Sequence, residues 1–377
     1  MNYLDAIVLA GLDIINGERT QSSIYHLLKG KKTSQTIQDA QLYGISPLFQ
    51  LYRSMKRSYY DQRIEFLKHH GMIDEQEELK FRLTAKGRIE LAEFFSVHPF
   101  PVYLNGWKYH QVTHLFWKRL TLSVQTGSNL IYSQHQFIPV TRDFYVQQWV
   151  KKMISENRNR LKDYTSQLNK ELTVLFERDD FPDSPDLIVQ QLSGYNQIGQ
   201  TNRQLADQLN CGPDEIFTRF INELHYMFRV IDDDKTCFPL LSEMMDTQEI
   251  KSIPFTRSTE ETYQYVKRNL SIDQIASVRR LKRSTIEDHI LEIALLDQQF
   301  SIHSFVTEQL AEEIRTFKGR SNRLKYIKEH VPEADYFQIR LVLAKAERGE
   351  LIWKNYLKKS LGITHSEQDK KRSSEQY

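Results

Sequence analysis

Apolar residues recur along most of this chain at spacings of three and four, the pattern of helices that bury one face. Ile7, Leu9, Leu12 and Ile15 make one such stripe near the start, and Ile339, Val342, Leu343 and Ala346 make another near the end. Met72-Ile73 followed by Leu79-Lys80-Phe81-Arg82-Leu83 departs from that period, and its alternation predicts a short β-hairpin. No repeat of fixed length is present. What recurs is a short helix, a tight turn and a second helix.

The punctuation marks out regions. His98-Pro99-Phe100-Pro101 stops any helix, because proline lacks a backbone donor and restricts the residue before it, so a first domain is expected over 1–96. A helical middle domain is expected over 97–250, interrupted by the acidic, proline-containing loop at 179–186. A linker around Ile253-Pro254 then leads to a C-terminal domain over 258–357, and 358–377 has too little to bury and reads as a disordered tail.

Composition narrows the class. With 14 glycines and 10 prolines in 377 residues, the chain is poor in turn formers, which argues against an all-β protein. Its two cysteines, Cys211 and Cys237, exclude a disulfide framework and a four-cysteine zinc module, and they fit a reducing compartment. The apolar run Ala6–Leu12, bounded by Asp5 and Asp13, falls far short of the roughly 18–20 residues that span a bilayer. A cytoplasmic, nucleoid-associated protein is therefore expected. Lys plus Arg is 51 against 49 acidic residues, so only the distribution of charge carries information.

The clearest helix-turn-helix lies at 271–290. Ser271 and Gln274 stand in capping-box relation, and Ala276 is small where two crossing helices meet. Leu281 plugs the turn, and Ile286 and Ile290 share the buried face of the second helix. Thr285, Asp288 and His289 are expected to face outward, toward base edges in a major groove. Arg279, Arg280, Lys282 and Arg283 put four positive charges within five residues at the turn, where phosphates meet a helix N-terminus. The cap position of that second helix holds Lys282, not Ser or Thr, which weakens its start.

The N-terminal region carries a second candidate. Residues 24–44 read as helix, basic turn and helix, and 58–71 as a further helix with a glycine stop, before the hairpin. Between Lys29 and Lys68 eight Lys/Arg stand against three acidic residues, a local surplus on an otherwise neutral chain. Lys31, Lys32, Arg53, Lys56, Arg57 and Arg63 are the residues expected to bind duplex there. The hairpin tip, Asp74-Glu75-Gln76-Glu77-Glu78, is acidic and lacks an aromatic residue, so it is not expected to separate strands.

A third candidate at 201–224 obeys the same local rules through Thr201, Gln204, Ala206 and Pro213. Asp207, Asp214, Glu215 and Glu223 surround it, with Arg203 and Arg219 opposing, so packing is expected there in place of DNA contact.

These motifs carry a resemblance. Residues 259–345, through Ile275-Ala276, Arg279, Ser284-Thr285-Ile286-Glu287, His289 and Tyr336–Ala344, resemble the helix-turn-helix module at the C-termini of many RecQ-type helicases. Residues 20–92 resemble the winged-helix domain of the same helicases. The whole arrangement is similar to the YpbB-type helix-turn-helix proteins, which look like the accessory portion of a RecQ helicase standing without its motor. The fold expected is mainly α: an N-terminal winged helix with a short β-hairpin, a helical middle region and a C-terminal helix-turn-helix bundle.

No enzymatic fingerprint accompanies it. Gly30-Lys31-Lys32-Thr33 ends like a nucleotide-binding loop, but Tyr25 stands where its first glycine is required. His110 and His114 lack the glutamate of a metallopeptidase, and Asp232-Asp233-Asp234 reads as a solvated turn. Trp107, Tyr109, Phe116, Trp117, Phe144, Tyr145 and Trp149 are spaced as core, with base stacking as the alternative. No cofactor, metal or small-molecule substrate is expected. The function expected is a non-catalytic DNA-binding accessory protein that partners a RecQ-type helicase in DNA repair or recombination and holds duplex or junction DNA. The alternatives are a helix-turn-helix transcriptional regulator and a protein-interaction scaffold without DNA binding.

Overall fold

A computed structural model describes residues 1–156, 161–246, 255–297, 299–318, 324–345 and 356. The expected linker at Ile253-Pro254, residue Ala346 of the last stripe and the expected tail at 358–377 lie outside the described residues. The elements run α1 (Tyr3–Ile15), α2 (Ser22–Lys29), α3 (Ser34–Leu42), a 3-10 turn (Ser46–Leu48), α4 (Arg57–His69), β1 (Ile73–Glu77), β2 (Lys80–Leu83) and α5 (Ala85–Val97). Next come α6 (Gly106–Tyr109), α7 (Val112–Ile131), α8 (Phe144–Glu156), α9 (Leu161–Phe176), α10 (Asp186–Val189), α11 (Asn202–Gln208), α12 (Pro213–Asp233) and α13 (Pro239–Met245). The last are α14 (Arg257–Val266), α15 (Ile272–Arg279), α16 (Arg283–Leu296), α17 (Glu308–Lys318), α18 (Leu324–His330) and α19 (Tyr336–Lys345). The protein is mainly helical, and among the described residues its one sheet is the two-stranded hairpin.

The chain divides into two compact units. Among the described residues, one comprises Met1–Leu9 and residues 89–246, the other Ala10–Arg88 and the residues from 255 to 356. The boundaries fall inside α1 and α5.

In the unit that contains Ala10–Arg88, the order helix, helix, helix, hairpin follows the expected one. Glycine at the end of α2 is required: Gly30 has φ +72°, and its amide donates to the carbonyls of α2. A Cβ there would also meet the Gln50 side chain at 2.6 Å. Thr33 then caps α3 by accepting from the Thr36 amide at 3.3 Å. In the antiparallel hairpin Ile73 pairs with Leu83 and Glu75 with Phe81, which buries Ile73, Phe81 and Leu83 and leaves Arg82 outside. The acidic tip is partly neutralised, since Lys68 reaches Glu75 at 2.7 Å and Lys80 reaches Glu77 at 2.5 Å.

The same unit holds the C-terminal bundle. Ile275, Ile286, Ile290, Ile314, Ile327 and Ile339 are fully buried in one cluster, with Ala276 and Leu281 packed against it as expected. Burial of each such isoleucine contributes about 1.5–3 kcal/mol. The contact that the sequence did not foretell is between segments far apart in the chain: α3 packs on α16 and on α19. Arg340 of α19 ties them, its Nη2 donating to Asp288 at 2.6 Å and its Nε to Gln38 of α3 at 2.8 Å.

In the other unit the long helices α7, α9 and α12 carry the core. Of α12, Leu224, Tyr226, Met227, Phe228 and Ile231 are fully buried. Glu171 is buried yet satisfied, because its carboxylate accepts from the Leu240 and Leu241 amides at 3.2 and 3.0 Å. Those amides are the first available donors of α13, whose opening residue is Pro239. The aromatic residues divide. Tyr109 and Phe116 are core, as expected, whereas Phe144 and Tyr145 are 63% and 79% exposed.

A candidate nucleic-acid interface

The helix-turn-helix begins with a well-defined first helix. Ser271 accepts from the Gln274 amide at 3.3 Å while the Gln274 side chain accepts from the Ser271 amide at 2.8 Å, the reciprocal box read from the sequence. α15 ends on Arg280 in the left-handed region, φ 51° and ψ 43°, with its amide donating to the Ala276 and Ser277 carbonyls. Glycine is the usual residue at such a position, and a side chain there costs about 1 kcal/mol. An arginine is held in a strained place at the head of the second helix.

That helix, α16, starts without a side-chain cap at Lys282. The Thr285 amide turns back to the Lys282 carbonyl at 2.9 Å, which leaves the Arg283 and Ser284 amides for solvent or an anion, and the helix dipole adds to their attraction for negative charge. Arg280 and Lys282 are both exposed beside this terminus and make no ion pair among the described residues. Arg283 is exposed as well, bridging Asp273 of α15 at 2.6 Å and Glu287 at 2.9 Å. Exposed pairs of this kind contribute about 0–1 kcal/mol, so a phosphate can replace either carboxylate at little cost. Ser284 is exposed and Thr285 partly so. The structure thus brings Arg280, Lys282, Arg283 and Thr285 together around one helix start.

It removes two expected residues from that surface. Arg279 faces inward: its Nη1 donates to the Ser258 carbonyl at 2.6 Å and to the Thr262 hydroxyl, and its Nη2 to Glu261 at 2.8 Å. Its side chain is only 9% exposed, and it clamps α14 to α15. His289, expected to face outward, is 7% exposed. The Thr262 hydroxyl, which accepts from Arg279, donates in turn to His289 Nδ1 at 2.8 Å. Burial, and then the adjacent Arg279 charge, lowers the His289 pKa and keeps the imidazole neutral. The reason is geometric. Position 289 lies three residues from Ile286 and one from Ile290, on the edge of the buried stripe, and α14 covers that edge. Asp288, expected outward with it, is engaged by Arg340.

From His289 to Ala294 every residue of α16 is buried, so the accessible part of this helix is its first turn and a half, with Leu295 and Leu296 partly exposed at its end. Glu292 lies inside and accepts from the Thr256 amide at 2.5 Å and the Thr259 hydroxyl at 2.7 Å, closing the start of α14.

The N-terminal cations divide in the same way. Lys31, Arg53 and Lys56 are exposed and make no ion pair among the described residues. Lys32 is half-buried; burial lowers its pKa, and the nearby Glu292 opposes that shift. Arg57 is committed to Asp61 at 2.8 Å and lies over the Tyr25 ring at 5.0 Å, and Arg63 sits over the Phe66 ring at 4.2 Å. Sequence reasoning passed over Arg257, Lys267 and Arg268, which are exposed on and just after α14. The adjacent Lys267-Arg268, four residues before the capping box, was the available signal.

The third candidate pair, α11 and α12, is built with equal local care. Thr201 and Gln204 form a reciprocal box, and Leu205, Ala206 and Ile216 share a small core with Leu187. Its electrostatics are opposite. Arg219 is held bidentate by Asp183 at 2.5 and 2.9 Å, and Glu215 joins at 3.3 Å. Nothing there is offered to a phosphate except the exposed Arg203.

Burial and then Glu215 raise the Cys211 pKa, which does not activate that thiol, and Cys237 lies exposed. Among the described residues no three His, Cys, Asp or Glu side chains come together as metal ligands. Nor is any helix among them long and apolar enough to cross a membrane.

Known proteins resemble this chain both in this segment and over most of its length. A family model described as a helix-turn-helix domain matches residues 258–343, the segment from α14 through most of α19, and such a domain suggests DNA binding. No solved structure matches the chain. Protein YpbB of Bacillus subtilis strain 168 is 34% identical over 352 residues, which span 92% of this chain and 98% of that protein. At that identity and coverage, the chain belongs to the YpbB family of helix-turn-helix proteins.

Proposed function

We propose that this protein is a non-catalytic DNA-binding accessory factor that partners a separate RecQ-type helicase in DNA repair or recombination. The observation that carries the DNA-binding part is the head of α16: a helix N-terminus without a side-chain cap, flanked by the exposed Arg280 and Lys282, which make no ion pair among the described residues. A duplex or junction phosphate seated there would receive backbone amides and two cations at once. The limited exposure of α16 favours holding DNA by its backbone over reading its sequence. Few side chains of this helix reach outward, and a regulator needs several at base edges. The motor is assigned to a partner because the sequence carries helix-turn-helix modules but no complete phosphate-binding loop.

Binding to fork, duplex and single-stranded probes, measured across a range of salt, tests the first part. The expected result is duplex or fork affinity that falls steeply with salt. Absence of any complex at low ionic strength would overturn it. For the partnership, a pull-down from cells should recover a RecQ-type helicase, and purified protein should alter its unwinding of a fork. No recovery, together with unwinding unchanged, would overturn the partnership and leave the DNA-binding reading to stand on its own titration.

A further inference from the structure

The unit containing α7 and α8 exposes aromatic and apolar side chains in one strip. After α7 ends at Ile131, the chain returns alongside it without regular structure. The return is pinned at three heights. The Gln134 amide donates to the Asn129 carbonyl at 2.9 Å, and Gln125 holds both the Ile138 carbonyl at 3.1 Å and the Val140 amide at 2.9 Å. Lys118 then pairs with Asp143 at 3.0 Å, just before α8 begins. From residue 118 to 132 a helix rises about 21 Å, so the strip is about that long.

Along it stand Tyr132 at one end and Phe144 and Tyr145 at the other, with Ile138 between them, 89% exposed. Tyr132 is stacked on Tyr195 with ring centres 4.5 Å apart and an interplanar angle of 15°. The main chain at Tyr195 is held as well, since its amide donates to the Ser128 hydroxyl at 2.9 Å. A stacked, exposed ring pair of this kind presents a flat face to another ring at a reduced ordering cost.

The charges around the strip select the partner. Residues 125–152 contain Arg142, Lys151 and Lys152 against one acid, Asp143, and residues 190–200 contain no charged side chain. Asp143 is neutralised by Lys118, while Arg142 and Lys151 are exposed without an ion pair among the described residues. Aromatic faces interleaved with uncompensated cations suit unpaired bases on an anionic backbone. They do not suit a duplex, whose bases are stacked out of reach. We infer that this strip binds single-stranded nucleic acid by stacking bases on Tyr132/Tyr195 and on Phe144/Tyr145, with Arg142 and Lys151 on the phosphates. The site is independent of the helix-turn-helix.

Fluorescence anisotropy of the full-length protein with short oligo(dT) and with duplex tests this. Y132A/Y195A and F144A/Y145A should each weaken oligo(dT) binding about tenfold or more, and R142E/K151E should also flatten its salt dependence. Duplex binding should stay unchanged, and R280E/K282E should show the reverse pattern. The side chains are exposed, so thermal denaturation is expected to match the parent. Failure of the parent to bind oligo(dT), or equal binding by all three strip variants, would overturn the inference. So would a concentration-dependent dimer in sedimentation that the strip variants abolish while oligo(dT) binding persists, since the strip would then be a protein interface.

Discussion

Two helix pairs in this protein obey the same local rules and reach opposite ends. α11–α12 and α15–α16 each open with a reciprocal capping box, Thr201 with Gln204 and Ser271 with Gln274. Each places an alanine, Ala206 or Ala276, in the first helix, and each buries an isoleucine, Ile216 or Ile286, in the second. Yet α12 is an internal strut. Its near-continuous burial and its acidic surroundings, with Arg219 consumed by Asp183, leave no surface for a polyanion. α16 is continuously internal only from His289 to Ala294, and at its exposed head Arg280 and Lys282 make no ion pair among the described residues. The local pattern specifies how two helices pack. Charge at the turn, and what else covers the second helix, specify whether the pair can touch DNA.

The largest effects should be common to both pairs. Ile286→Ala and Ile216→Ala should each destabilise the protein by about 2–5 kcal/mol in urea unfolding, because each empties a fully buried position. A much smaller loss at one of them would mean that its core is not equivalent. Charge reversal should then separate the pairs. Arg280→Glu with Lys282→Glu should lower duplex affinity about 10–100-fold and reduce the salt slope by about two. Arg203→Glu should leave both within twofold; if it weakened binding as much, the assignment of α11–α12 to packing would fail.

Acid should strain the buried histidine of each second helix. His225 is fully buried, its Nδ1 accepts from the Asn105 amide at 2.9 Å, and burial pushes its pKa down to about 3, with His110 adding to the shift. The unfolded chain takes up that proton near the ordinary value of about 6.5, so His225 contributes its full stability above that pH. The contribution is lost as pH falls below it, at up to about 1.4 kcal/mol per unit. His289 acts in the same direction. Urea midpoints that do not fall between pH 7 and pH 5 would contradict the neutral, buried imidazoles.

Cap removal is a smaller and symmetrical test. Ser271→Ala and Thr201→Ala should each cost about 1 kcal/mol of stability, with no change in the salt slope of DNA binding. Smallest of all, Arg280→Gly should raise stability by up to about 1 kcal/mol, since glycine relieves the left-handed strain, while it weakens duplex binding. Stability and affinity moving in opposite directions would mark Arg280 as a residue kept for its charge.

Much of this was legible in one dimension. Helix starts are decided by neighbours three residues apart, which is why both capping boxes, the proline start of α12 and the missing cap at Lys282 could be read directly. The hairpin followed from alternation over a few residues. The site was legible only in part. Four cations within five residues look alike in sequence, but the helical turn sends Arg279 into Ser258, Thr262 and Glu261 and leaves Arg280 and Lys282 outside. His289 was placed on the wrong side because a helix edge is buried or exposed according to its neighbour, here α14.

By itself, then, the sequence determined the helices, their caps, the hairpin and the basic turn, because each depends on interactions between residues a few positions apart. Tertiary structure alone decided that α3 lies against α16 and α19, that half of α16 is internal, and that Phe144 and Tyr145 face solvent although their spacing suited a core. Exposure is a property of what packs against a residue, and in these cases the neighbour or its absence comes from segments far along the chain. A periodic pattern fixes which residues share a face, but not which faces meet.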